Sequence, residues 1–288
     1  MIASFIITFR ETLEAVLILS IILVYLARTG NTRYNKFVYW GTLSAIILSI
    51  ISAFILRALS VRFEGAAEQL FEGTVMIIAA FLLTFMILWM MRRKHISHEL
   101  KEHLSEEIKL KHKLGLFSVA FVAVLREGIE TVLFLSALIF TTGKISLIGG
   151  FSGLIAAIII GYFFFKTTKK INLKLFFNIT SIILILFAAG LVAHAIHEFQ
   201  EAKIIPTIVE HVWDINPAAP RASEGIYPLL HEKGTIGNIA KGLFGYNGNP
   251  SLLEVLSYLA YLILIFIIYR SIKRKHKKEI EVLNNNKL

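Results

Sequence analysis

Two short stretches put acids and a base where the surrounding sequence is apolar. FRETLEAVLILS begins at Phe9 and carries Arg10, Glu11 and Glu14; LREGIETVLFLS begins at Leu125 and carries Arg126, Glu127 and Glu130. From the arginine onward, seven of eleven residues are identical in the two copies. Side chains three and four apart share a helix face. Glu11 and Glu14 can therefore present both carboxylates to one point, and Arg10 can reach Glu14. The same holds for Glu127, Glu130 and Arg126. An ionised side chain at mid-bilayer costs roughly 2.5–3.5 kcal/mol on insertion scales. Six such groups are expected to face one another or a polar cavity, not lipid. Four carboxylates and two guanidiniums leave a formal charge of −2, which a di- or trivalent cation nearly neutralises.

A plainer reading is two Arg–Glu pairs that only lock helices together. Against it, each motif has one more glutamate than its arginine needs. The expected role of Arg10 and Arg126 is to hold the carboxylates and limit their repulsion. The chain has no cysteine, so a metal here must be held by oxygen or imidazole. Oxygen-only ligation favours hard ions such as iron, manganese, magnesium and calcium. Residue chemistry alone stops at a hard cation.

The elements that must position these groups follow from composition. Of 288 residues 56% are hydrophobic, and the mean hydropathy is +0.69, a balance outside the range of soluble domains. A span needs roughly 20 apolar residues. Seven windows qualify, at about 4–27, 37–56, 70–91, 115–141, 146–165, 175–197 and 252–270. The segments on one side of these spans hold 21 of the 30 basic residues. The positive-inside rule then puts the N-terminus outside and the C-terminus in the cytoplasm. The net charge of +10 is thus a marker of topology, with a secondary pull toward anionic lipid, and no nucleic-acid partner is expected. The first apolar run lacks a basic start and carries internal charges, so it reads as a span and not as a cleaved leader.

The expected fold is an all-α integral membrane protein of seven transmembrane helices. An odd number of crossings separates the two motifs, so their helices run in opposite directions. Residues 1–91 and 115–197 then read as two inverted three-helix repeats. A charged cytoplasmic connector (92–114) joins them. An extracytoplasmic loop (198–251), a seventh span (252–270) and a basic cytoplasmic tail (271–288) follow. A weaker echo pairs LFEGT at Leu70 with FFNIT at Phe176. In the loop, IGNIAKGLFGY reads as a short amphipathic helix. Ser251 and Glu254 read as a capping box that starts the last span. No G-x-x-x-x-G-K-[ST] loop occurs, so ATP-driven pumping by this chain is not expected.

Secondary candidates lie at the outer ends of two spans. Glu68 and Glu72 stand at the start of the third. His194, His197, Glu198 and Glu201 form one stripe at the end of the sixth. Together they read as an outer vestibule that gathers cations. The bland alternative is an ordinary polar helix end. His95, His98, His103 and His112 in the connector read as a solvated, ion-paired helix. Met86, Met90 and Met91 read as packing.

RETLE and REGIE resemble the Arg-Glu-x-x-Glu motif of the oxidase-dependent iron permeases, the fungal high-affinity transporters and their bacterial relatives. The resemblance extends to LFEG entering the third span, AAGLVAHAIHEFQE ending the sixth, and GLFGYNGNPSLLEVLSYLAY entering the seventh. It implies a transporter and not an enzyme. Iron, Fe2+ or Fe3+, would cross the plasma membrane (the inner membrane in a Gram-negative cell), and no cofactor would be bound permanently. It implies Glu11, Glu14, Glu127 and Glu130 as the iron-binding carboxylates. It also implies partners outside this chain: an oxidase or peroxidase and an extracytoplasmic iron-binding protein. Homo-oligomerisation stays open. Two alternatives remain beside it. One is an intramembrane di-iron carboxylate oxidoreductase, disfavoured because neither motif has the Glu-x-x-His pattern of such sites. The other is a transporter of another hard divalent ion such as manganese.

Overall fold

The computed structural model describes residues 1–92, 113–166, 173–216 and 227–285. The connector histidines His95, His98, His103 and His112 lie outside the described residues. Among the described residues all regular structure is helical. The order is α1 (Ile2–Arg28), a 3-10 turn (Thr32–Tyr34), α2 (Asn35–Arg62), α3 (Ala66–Arg92), α4 (Lys113–Thr142), α5 (Leu147–Lys166), α6 (Leu173–Glu201), α7 (Thr235–Phe244) and α8 (Leu252–Asn285). Each of the seven apolar windows falls on a helix to within a residue, and most of the helices extend beyond their window. The extension has a simple cause: helix continues past the apolar stretch into polar residues that favour water or headgroups.

Among the described residues, four helical segments are long and apolar enough to cross a membrane: Thr32–Arg62, Ala66–Trp89, Phe177–Glu201 and Leu252–Arg274. Leu147–Phe163 is apolar but shorter. Helices α1 and α4, at 27 and 30 residues, have the length to span at about 1.5 Å per residue. Their motif charges set them apart from the other four. One face of α2 exposes Trp40, Ile47, Ile50 and Phe54, a patch suited to lipid and costly in water.

Contacts divide the chain into two units. The first is Met1–Val75 with His95–Ile182; the second is Met76–Lys94 with Ile183–Leu288. In the first unit α1 packs on α5, α2 packs on α4, and α1 also meets α4. Small residues at four-residue spacing make the close pairs possible: Gly41, Ala45 and Ser49 on α2, and Gly149, Gly153 and Ala157 on α5, all buried. A Cβ on Gly41 would stand 2.5 Å from the Phe117 carbonyl oxygen, and one on Gly149 would strike the Met1 carbonyl. Phe117 follows Met1 by 116 residues, the offset that separates Arg126 from Arg10. The helix pairing is therefore reciprocal. Ile22 and Leu26 of α1, Val38 of α2, and Leu116 and Ala120 of α4 build a core on one side of the motifs. Phe9, Leu13 and Ala157 build another. Gly143, with φ +71°, ends α4 by donating its N–H to the Ile139 carbonyl at 2.7 Å, a left-handed stop that glycine adopts without strain.

In the second unit α6 meets the end of α7 at a glycine pair: a Cβ on Gly190 would collide with the Gly245 backbone. IGNIAKGLFGY does contain the short helix α7. The Ser251–Glu254 capping box forms in both directions. The Glu254 N–H donates to Ser251 Oγ at 3.3 Å, and the Ser251 N–H to Glu254 Oε1 at 3.0 Å. Thr84 of α3 and Tyr261 of α8 share a hydroxyl hydrogen bond of 2.6 Å. The loop is organised by Glu232. It accepts from Lys241 Nζ at 2.6 Å, the Gly248 N–H at 2.8 Å and Asn216 Nδ2 at 3.0 Å. Burial works against the charge of Glu232, but these donors outweigh it and hold the carboxyl below its ordinary value of 4.5.

Two outcomes follow from this packing. Gly153→Ala places a Cβ 2.6 Å from the Phe5 carbonyl and should lower stability by about 1–3 kcal/mol. Gly150→Ala, whose nearest neighbour is 3.6 Å away, should be neutral or stabilising; thermal unfolding of the purified protein compares them. For Glu232 the folded value is the lower one, so its stabilisation is complete above the unfolded value near 4.5 and is lost as the pH falls through the folded value. Hydrogen exchange at the Gly248 amide should quicken over that acid window beyond the change in intrinsic rate, and Glu232→Gln should remove the pH dependence.

Candidate metal site

The two motif helices bring their acids together inside the first unit. Glu11, Glu127 and Glu130 each offer a carboxylate oxygen within 4.8 Å of the other two, and all three side chains are buried. Glu14 stands outside this set, so three of the four expected ligands converge. Arg10 is fully buried. Its Nη1 donates to Glu11 Oε1 at 3.0 Å and its Nη2 lies 3.1 Å from Glu14 Oε1. In the second motif Arg126 Nε donates to Glu130 Oε1 at 2.8 Å and lies 3.9 Å from Glu127 Oε1. The pairs Arg10–Glu14 and Arg126–Glu130 are the one-turn contacts that helical spacing dictates.

Even so, Glu11 Oε2, Glu127 Oε2 and Glu130 Oε2 are buried and accept no hydrogen bond among the described residues. An ionised carboxylate is acceptor-only, and burying it without a donor or a counter-charge is expensive. Three such oxygens at one place call for protons or a cation. The donor set is oxygen alone, which suits a hard ion. The motif also explains its own glycine: a Cβ at Gly128 would collide with Ser49 of α2. Thr12 fills the corresponding position in the first motif.

The other expected residues fall at helix ends. Glu68 is exposed in the first turn of α3, where a negative charge also favours the helix N-terminus; Glu72, one turn on, is half-buried. These belong to the first unit. His194, His197, Glu198 and Glu201 share the last two turns of α6 in the second unit, with His194 buried and Glu201 exposed. Met86 is buried, as expected of packing. Sequence reasoning missed the second role of Glu254. Besides capping α8 it accepts from Asn247 Nδ2 at 2.7 Å and meets His197 Nδ1 at 3.1 Å. Ser251–x–x–Glu254 was the available signal, and a cap exhausts that signal locally.

Several apolar helices of membrane length mark a multi-pass membrane protein. Residues 1–276 match the model of the iron permease FTR1 family, and the chain belongs to that family, whose members are transporters and not enzymes. It is similar to an uncharacterised protein of Archaeoglobus fulgidus, 33% identical over 95% of this chain and 96% of the relative. It is also similar to the ferrous iron permease EfeU of Yersinia pestis, 32% identical over 93% of each. The ferrous iron permease EfeU of Escherichia coli O6:H1 is 32% identical over 91% of this chain and 93% of the relative. No solved structure matches.

Arg10→Gln strands two carboxylates in the interior. Removing one partner of a buried ion pair costs roughly 3–5 kcal/mol, so this variant should unfold at markedly lower temperature. Arg126, more than a third exposed, should cost less on the same substitution. Thermal melts of the two purified variants test the order; equal effects would contradict it.

Proposed function

We propose that this protein carries iron ions across the plasma membrane into the cytoplasm through a mid-membrane site of glutamates from its two Arg-Glu-x-x-Glu motifs. The observation that carries this reading is the convergence of Glu11, Glu127 and Glu130 with one donorless oxygen each. Glu14, held beside them by Arg10, is the fourth ligand, joining as the ion arrives or leaves. Membership of an iron permease family and resemblance to relatives named ferrous iron permeases support iron as the cargo. The arginines hold the carboxylates and lower their repulsion when no ion is bound.

Seven spans complete this reading, with the N-terminus outside and the C-terminus inside. Helices α1–α3 and α4–α6 form inverted halves, and α8 is the last span. The reciprocal pairing of α1 with α5 and α2 with α4, through glycines that meet residues at the motif offset, supports the inverted relation. Rearrangement of the halves around a fixed site would move the ion. An inward-negative potential adds about 2.3 kcal/mol per charge per 100 mV. Glu68, Glu72, His194, His197, Glu198 and Glu201 gather cations at the outer ends of their helices. A separate oxidase or peroxidase and an extracytoplasmic iron-binding protein deliver the iron.

Radio-iron uptake by cells carrying Glu127→Gln or Glu130→Gln should fall at least tenfold with normal amounts of protein in the membrane. Wild-type uptake in both would end the proposal. Glu72→Gln with Glu198→Gln should instead raise the iron concentration needed for half-maximal uptake and leave the maximum rate unchanged.

A further inference from the structure

The end of α6 holds a histidine with a carboxylate at each ring nitrogen. His197 Nδ1 lies 3.1 Å from Glu254 Oε1 and Nε2 lies 3.2 Å from Glu201 Oε1. Glu254 is buried and already accepts from the Ser251 N–H and Asn247 Nδ2. It is fixed as an acceptor, so the Nδ1 it meets carries the hydrogen. This is the carboxylate–histidine arrangement that aims the other ring nitrogen at a metal. That nitrogen, Nε2, faces Glu201, another acceptor. Two acceptors 3.2 Å apart need something positive between them: a second ring proton or a cation.

His194 tips the choice. It is 8% exposed and makes no hydrogen bond among the described residues. Its ring centroid stands 5.9 Å from that of His197. Two imidazoles that bind one ion at about 2.0–2.1 Å have ring centres about 5–6 Å apart. Lys241, whose charge bears on His194, is itself neutralised by Glu232 at 2.6 Å. Glu201 is half-exposed, which leaves the ion a way in.

We propose that His197 Nε2, Glu201 and His194 form a second cation site, oriented by Glu254 and chemically distinct from the acid cluster. Only His197 Nε2 and Glu201 Oε1 stand at chelating distance here; His194 joins by turning its ring. Mixed imidazole and carboxylate donors suit a borderline divalent first-row ion such as ferrous iron, whereas carboxylates alone suit harder ions. Ferrous iron as its natural ion rests on the transport reading above; its capacity to bind a divalent cation does not.

The test uses the full-length protein in detergent with Glu127→Gln and Glu130→Gln, which take away two of the three converging acids, and Co2+ as an optical stand-in for Fe2+. One Co2+ per chain is expected, with visible absorption of nitrogen and oxygen ligation. Added His197→Gln or Glu201→Gln should weaken it at least tenfold, and His194→Gln should shift the absorption. Glu201 is the exposed last residue of α6, so its variant preserves the test should the His197 variant fail to fold. No saturable Co2+ binding, or an affinity indifferent to Glu201→Gln, would mean a plain His–Glu ion pair and overturn the proposal. Iron uptake by the Glu127/Glu130 variant would sink the central reading while leaving the Co2+ result to stand or fall alone.

Discussion

A carboxylate taken out of water must find a donor, a proton or a positive charge. Glu11, Glu127 and Glu130 are buried together, and each keeps one oxygen without a donor. Arg10 and Arg126 supply two charges to four acids, so the cluster is under-compensated by composition as well as by geometry. A cluster of this kind persists in an apolar bundle only where what would stabilise it arrives from outside. A proton or a hard cation meets that need, and the proposed transport site uses the cation.

The helices serve this arrangement by coming close. Stripes of small residues on α2 and α5 let backbones approach where larger side chains would hold them apart. Motif acids from α1 and α4 can then share a few ångströms. The two copies are not used equally. Arg10 is fully buried and binds both of its glutamates, whereas Arg126 is partly exposed and binds Glu130 closely and Glu127 at longer range. Glu130 belongs to the converging set and its counterpart Glu14 does not. One sequence pattern, repeated, therefore occupies two environments.

Much of this was legible in the sequence because charge inside apolar sequence is hard to miss. Arg10, Glu11 and Glu14 stand out against FRETLEAVLILS, and helical spacing alone pairs Arg10 with Glu14 and Arg126 with Glu130. The S-x-x-E signature marked the start of α8. Spacing does not say which carboxylates from different helices meet, so the exclusion of Glu14 was invisible. The stripes Gly41/Ala45/Ser49 and Gly149/Gly153/Ala157 were present as letters, but their meaning is a distance to another backbone. Glu254 looked like a cap; that it also holds His197 depends on a partner 57 residues away. Local rules carry local contacts, and the site is assembled from long-range ones.

Iron-edge anomalous diffraction from crystals of the iron-loaded protein tests the central claim most directly. The account predicts an anomalous peak at bonding distance from carboxylate oxygens of Glu11, Glu127 and Glu130. Iron bound elsewhere, with those three side chains contributing no ligand, would contradict it.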